Sequence, residues 1–256
     1  MIDCSLVRAN TFAGKLVRFP LRLLPSGMVV RILQGPLRGK KWILGSQRHA
    51  FWLGGYEPQM QRLIAAELKR GGTFYDIGAN VGFYSMLASV LIDPGKVFAF
   101  EPLPVNLSYL RKHLDLNGID IVDVKEVAIS DEVGAARFQT EKTGAMGRLN
   151  ELGNLQVKTS TLDSLIDSNE ISPPNYIKMD IEGAEFKALQ GAKRCFMEYR
   201  PKLFLGTHGA EVHCKCIQLL RSWNYDIKVI EMLSPERGEL FATPISSAYG
   251  TGCEAI

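Results

Sequence analysis

Asp76-Ile-Gly-Ala-Asn-Val-Gly82 is the stretch whose reading decides the fold. It follows the short apolar run Phe74-Tyr-Asp-Ile77 and leads into an apolar segment over residues 81–92, so it reads as the turn between a buried strand and a helix. Gly78 permits a tight turn and a close backbone approach to a ligand, and Gly82 lets the helix start pack closely. The N–H groups at a helix start, at the positive end of its dipole, suit an anion, while Asp76 can accept a hydrogen bond from an ammonium group. A dinucleotide fingerprint runs G-x-G-x-x-G. Here three residues separate the glycines, Asn80 stands in the middle and the acid precedes the turn. That pattern favours an amino-acid-like ligand with both an ammonium and a carboxylate.

Outward from this turn the chain alternates strand and helix. Strands are expected at residues 96–100, within 121–129, and at 176–179 and 202–205, with helices at 105–116, 184–199 and 212–223. Residues 134–160 read as an antiparallel excursion, and Thr161 as the cap of a further helix. A hairpin from residues 226–230 and 241–245 closes the chain. The reading is α/β: a Rossmann-like, mostly parallel sheet with helices on both faces and an antiparallel edge strand. Upstream, a helix over 59–70 ends at Gly71-Gly72. Residues 1–55 are irregular, with a short hairpin around Gly35-Pro-Leu-Arg-Gly39. The expected organisation is a basic N-terminal extension or cap over 1–55 and one α/β domain over 56–256.

Charge is distributed unevenly. The 256 residues carry a net +3, yet the first 48 hold nine cations (Arg8, Lys15, Arg18, Arg22, Arg31, Arg38, Lys40, Lys41 and Arg48) against Asp3 alone. A basic, partly apolar N-terminus would pack on the acidic remainder or lie on an anionic membrane surface. No nucleic-acid-binding motif accompanies it, so no nucleic-acid partner is expected. No apolar run is long enough to cross a membrane. No secretory signal is read, so the five cysteines are expected to be reduced and the protein cytoplasmic or membrane-peripheral.

Two more motifs fall at strand ends, where ligands bind in such sheets. Glu101-Pro102 follows the second strand, and an acid there accepts hydrogen bonds from both hydroxyls of a ribose. Lys178-Met-Asp-Ile-Glu-Gly-Ala-Glu185 ends the fourth. Asp180, Glu182 and Glu185 crowd negative charge, which is costly unless the groups are paired, protonated or facing a cation such as a sulfonium or a metal ion. Glu185 also fits a helix-start acid answering the dipole.

These residues resemble the FkbM family of S-adenosylmethionine-dependent methyltransferases. The resemblance rests on Asp76-Ile-Gly-Ala-Asn-Val-Gly-Phe-Tyr-Ser85, Phe100-Glu-Pro102, Val127-Ala-Ile-Ser130, Thr161-Leu-Asp-Ser-Leu165 and Ile177-Lys-Met-Asp-Ile-Glu-Gly-Ala-Glu185, and covers roughly residues 50–230. Trp52-Leu-Gly-Gly-Tyr-Glu-Pro58 also resembles a segment of relatives. The resemblance implies the class I methyltransferase fold, with seven strands, and methyl transfer from S-adenosylmethionine, usually to a hydroxyl oxygen. It implies that Asp76, Gly78, Asn80 and Gly82 hold the methionine part and Glu101 the ribose. Pro102, Val127 and Ala128 would flank the adenine, and Glu57 would reach the amino group. Asp180 and Glu182 would sit by the transferred methyl and the acceptor, a hydroxyl of a sugar, glycan or secondary metabolite. Relatives often show Glu before the histidine, where this chain has Thr207-His208.

For the chemistry, Asp180 and His208 are the candidate bases. No metal is expected: His213-Cys-Lys-Cys216 lies on an expected helix, where residues two apart point away from each other. Two rival readings remain at this level. One is an NAD-type oxidoreductase, against which the glycine spacing argues. The other is a non-catalytic module that keeps the fold, against which the intact set from Asp76 to Glu101 argues.

Overall fold

The strand before the Asp76 turn lies mid-sheet in the computed structural model, which describes residues 24–140, 147–149, 153–234 and 237–245. In chain order the strands are β1 (Val29–Arg31), β2 (Lys41–Ile43), β3 (Thr73–Ile77), β4 (Lys96–Phe100), β5 (Val122–Lys125), β6 (Ala128–Ile129), β7 (Gly134–Thr140), β8 (Gly147–Leu149), β9 (Leu155–Ser160), β10 (Tyr176–Met179), β11 (Lys202–His208), β12 (Tyr225–Ser234) and β13 (Arg237–Pro244). The helices among the described residues are α1 (Ala50–Leu53), α2 (Pro58–Glu67), α3 (Phe83–Ile92), α4 (Pro104–Asn117), α5 (Leu162–Asp167), α6 (Glu185–Gln190), α7 (Lys193–Glu198) and α8 (Ala210–Ser222).

Seven strands form one sheet in the order β12-β13-β11-β10-β3-β4-β5. From β11 to β5 the pairings are parallel. The antiparallel strand, β13, is not the outermost one: it returns between β12 and β11, because the closing hairpin folds its second arm back onto the sheet. Strand alternation divides the core. Phe74 packs with α3, α2 and the N-terminal segment on one face, while Tyr75 and Ile77 pack with α5 to α8 on the other.

The strand expected within 121–129 forms as β5 in the main sheet, and the last two residues of that stretch form β6, which pairs parallel with β9 in a second sheet of order β6-β9-β7-β8. The expected helix over 184–199 breaks at Gly191, where a Cβ would lie 2.0 Å from the Ser130 carbonyl oxygen. Only a bare Cα fits there. Asp163 then caps the new helix, its carboxylate accepting from the N–H groups of Arg194 (2.9 Å) and Cys195 (2.8 Å). The Thr161 cap forms as expected, its hydroxyl accepting from Ser164 N–H at 3.0 Å.

From residue 24 on, the described part of the N-terminal segment is bound into the core. The expected hairpin joins β1 to β2, and Trp42, fully buried, stacks on His113 at 4.0 Å and on Phe51 at 5.6 Å. His113 Nδ1 donates to the Val81 carbonyl (2.8 Å), and Nε2 accepts from Ile43 N–H (3.1 Å). This one ring ties β2 to the start of α3. Arg8, Lys15, Arg18, Arg22, Cys4 and Cys253 lie outside the described residues, so the membrane-surface expectation falls partly there.

Burial pushes the His113 pKa down to about 4. A histidine whose folded pKa lies below its unfolded value favours folding above the unfolded value and loses that contribution as pH falls toward the folded one. Stability should therefore drop by about 3 kcal/mol between about pH 6.5 and pH 4 on this account alone. In an NMR titration, His113 should stay neutral down to about pH 4; a midpoint near 6.5 would contradict its placement.

Candidate active site

β3 ends on a turn that its neighbours hold rigid. The N–H groups of Gly78 and Ala79 both donate to the Phe100 carbonyl at 3.0 Å. Gly78 has φ 83°, and a Cβ there would lie 2.2 Å from the Asp180 carbonyl oxygen, so glycine is required twice over. Asn80, at φ 51°, accepts at Oδ1 from Val81 N–H and from the Gln47 side chain, both at 2.8 Å. Gly82 N–H donates to Ala79 O. The backbone donors from 78 to 82 are thus engaged within the protein, contrary to the expectation that they wait for an anion. They set the shape of the turn instead.

Next to this turn is a cavity of about 380 Å³, within the usual range for small-molecule sites. Of the residues expected to hold a cofactor, Glu57, Asp76, Gly78, Asn80, Glu101, Pro102, Val127, Ala128 and Asp180 line it together. Gly82 does not: a Cβ there would meet Leu110 at 3.1 Å, so its smallness serves the packing of α3 on α4. Glu182 lines the cavity as well. His208 stands behind the wall, with Nε2 3.6 Å from Asp180 and 3.5 Å from Glu182.

Glu101 is buried, and its two oxygens accept from Asn80 N–H (2.8 Å) and Leu103 N–H (2.9 Å). Those bonds, with one from the Asn106 side chain, fix the carboxylate and leave about one of its four acceptor sites free. Burial, outweighing these bonds, pushes its pKa up to about 7. Asp76 is buried too and accepts from the Ser85 hydroxyl at 2.6 Å; burial pushes it up to about 6.

One ammonium faces this acidic wall. Lys178 is the register partner of Asp76 and lies buried, its Nζ 3.3 Å from Asp180 and over the Tyr84 ring at 5.1 Å. Burial works against its charge, but Asp180, Glu57, Glu239 and Asp76 surround it and hold it protonated. Against its own desolvation, Asp180 is held below the usual carboxylate range by Lys178, His208 and Arg237. Four carboxylates therefore face a single lysine. Glu57, at φ 41°, accepts from the Tyr84 hydroxyl at 2.6 Å. Glu239, buried, has one oxygen without a hydrogen-bond partner and is pushed up to about 7, first by burial and then by Glu57.

Asp180, Glu185 and His208 bring one ligand-type atom each within 4.8 Å of one another. Their contacts form a hydrogen-bond network. Glu185 is fully buried and accepts from Ile181 N–H, Gly183 N–H (3.1 Å) and His208 Nδ1 (2.8 Å). Burial alone would lower the His208 pKa; the bond to Glu185 and the charges of Asp180, Glu185 and Glu182 overcome it and raise it. Arg237 reaches His208 Nε2 at 2.8 Å. The helix-start reading of Glu185 missed this role.

Sequence reasoning also missed Gln47, Arg48, Tyr56, Tyr84 and Phe138, which line the cavity. Phe138 comes from β7 and joins Leu103, Ala128 and Val157 in a small apolar cluster. An aromatic on an amphipathic strand was the available signal for Phe138. For Gln47 and Arg48, remote from every motif, there was none.

The family described as Methyltransferase FkbM domain matches residues 76–232. The chain is 28% identical over 137 residues to the hexuronic acid methyltransferase AglP of Haloferax volcanii, covering 53% of this chain and 56% of that protein. It is 40% identical over 73 residues to the 31-O-demethyl-FK506 methyltransferase FkbM of Streptomyces tacrolimicus, over 28% of this chain and 27% of that one. The match thus spans little more than half of the first relative and about a quarter of the second. Among solved structures, an S-adenosylmethionine-dependent O-methyltransferase from Thermotoga maritima is similar with a TM-score of 0.50 at 14% identity, over 89% of this chain and 81% of that chain. This last likeness concerns the fold alone.

Proposed function

Because the chain belongs to the FkbM methyltransferase family, we propose that it transfers a methyl group from S-adenosylmethionine to a hydroxyl oxygen of a sugar-containing acceptor. The observation that carries this reading is the acid excess at the cavity: Glu57, Asp76, Glu101, Asp180 and Glu182 line it against Arg48, Lys178 and Arg237. Such a wall is costly for an empty site and suits a ligand with an ammonium and a sulfonium. The donor set fits the rest of that molecule. Asp76 and Glu57 would take the ammonium, and Arg48, which makes no ion pair among the described residues, is available for the carboxylate. Glu101 would accept from the ribose hydroxyls, and Pro102, Val127, Ala128 and Phe138 offer an apolar wall to the adenine.

Bound there, S-adenosylmethionine supplies a methyl whose C–S electron pair stays on sulfur as the acceptor oxygen forms its bond to carbon. The leaving thioether is neutral, so the protein needs no acid. Its own work is to align the acceptor and receive one proton. Asp180, Glu182 and His208 stand together at the ends of β10 and β11 and are the groups that would receive it. The likeness to a hexuronic acid methyltransferase makes a uronic-acid sugar the first acceptor to try. With methyl-labelled S-adenosylmethionine, the purified protein should label a glycan containing hexuronic acid, and Asp180→Asn should slow labelling by about 10²-fold or more. Absence of label on every hydroxyl acceptor, with the donor bound, would overturn the transfer assignment.

A further inference from the structure

Resting on that methyltransferase reading, we infer that Glu185 is a positioning residue that holds His208 as the proton acceptor for the substrate hydroxyl, with Nδ1–H on Glu185 and Nε2 toward Asp180, Glu182 and the acceptor. The tautomer follows from the contacts. A guanidinium has donors and no acceptor, so Arg237, 2.8 Å from Nε2, must donate to it. Nε2 is then unprotonated, and the ring hydrogen lies on Nδ1, pointing at Glu185 Oε1 at 2.8 Å.

Three further features make Glu185 a built support. It is fully buried, which is rare for a glutamate without a partner. The same oxygen accepts from Ile181 and Gly183 N–H, fixing it against the loop that carries Asp180 and Glu182. Its second oxygen, buried, has no hydrogen-bond partner. A buried carboxylate so placed gains from a full positive charge beside it, which is what His208 becomes on accepting a proton.

The step then balances. The acceptor oxygen bonds to the methyl carbon as its O–H proton passes to His208 Nε2. The neutral imidazole becomes an imidazolium paired with Glu185, and the product ether leaves uncharged. The charged groups facing His208 are Glu185 on α6, Asp180 and Glu182 on the loop after β10, and Arg237 on β13. The three carboxylates raise the ring's basicity above that of an ordinary histidine. Arg237 lines the cavity and sits 2.8 Å from Nε2, so an acceptor hydroxyl that reaches Nε2 must displace it.

The test pairs a ring titration with the pH profile of methyl transfer to the hexuronic-acid glycan: activity should rise with pH through the His208 midpoint and shift with it in Glu185→Gln, and a profile that stays put while the midpoint moves would overturn the role. In the ¹⁵N-labelled full chain, the His208 ring should show the Nδ1–H tautomer and a titration midpoint above that of a free histidine. Glu185→Gln keeps an acceptor oxygen and removes the charge, and should lower that midpoint by about one pH unit or more. An Nε2–H tautomer in the wild type would overturn the proposal, since that measurement requires no variant to fold. So would an unmoved midpoint in a folded Glu185→Gln. A wild type that fails to bind S-adenosylmethionine would instead bring down the methyltransferase reading, and the two failures are distinct.

Discussion

Gly78→Ala is expected to lower stability by about 3 kcal/mol or more and to abolish binding of S-adenosylmethionine. Two effects add at this position. The backbone sits at φ 83°, where a Cβ costs about 1–2 kcal/mol, and that Cβ would lie 2.2 Å from the Asp180 carbonyl oxygen. The clash is with backbone, so no side-chain rotation relieves it. Relief requires moving the β3 turn away from the β10 end, which separates Asp76 and Asn80 from Asp180 and opens the cavity. Gly71→Ala is the control: its φ is 78°, but nothing lies within 4 Å of the added Cβ, so it should cost only about 1–2 kcal/mol and leave binding intact. Urea denaturation of both variants measures the difference. Equal losses would mean that the close approach of the two strand ends is misplaced.

Binding of S-adenosylmethionine should weaken at least about tenfold between about pH 7.5 and pH 5. Asp76 is pushed up to about 6 and Glu101 to about 7, both by burial first. The signs run together. For a carboxyl whose folded pKa lies above its unfolded value, the stability contribution is present at low pH and is lost as pH rises through that folded pKa. The ligand-free protein therefore loses stability as both groups ionise between about pH 4 and pH 7. An ammonium on Asp76 favours the ionised form, so affinity increases as pH rises through 6 to 7 and binding near pH 6 releases protons. Calorimetry in buffers of different ionisation enthalpy reads those protons directly. Binding without proton release near pH 6 would mean that Asp76 does not meet the ligand's ammonium.

Much of the sheet was legible because its determinants are local. A strand–turn–helix with Gly78 carries its own instructions, and so do Thr161 as a cap and Asn117-Gly118 as a stop. Where the reading failed, the determinant was tertiary. Residues 184–199 have helical periodicity throughout, yet Ser130 presses on Gly191 and Asp163 supplies a new cap. The strand expected within 121–129 forms, but the capture of Ala128 and Ile129 by β9 has no local signal. The same division holds at the site. Asp76, Glu101 and Asp180 were legible because each ends a strand of the sheet. Lys178 was quoted within its motif without a role, since its four acidic neighbours come from β3, β13, the segment before α2 and its own strand end. Glu185 read as a helix-start acid because the partner that redefines it, His208, is 23 residues away on β11.

The most direct test of the account is a calorimetric titration of the full chain with S-adenosylmethionine, with NAD as the control ligand, on wild type and Glu101→Ala. A hydrogen bond to a charged group contributes about 1.5–3 kcal/mol, so loss of Glu101 should weaken binding by about tenfold or more. Wild type should bind S-adenosylmethionine saturably and NAD not at all, and the variant should show at least that loss. Wild-type protein that is folded yet binds NAD in place of S-adenosylmethionine, or a Glu101→Ala variant that binds as tightly as wild type, would rule out the assignment of the cavity to S-adenosylmethionine.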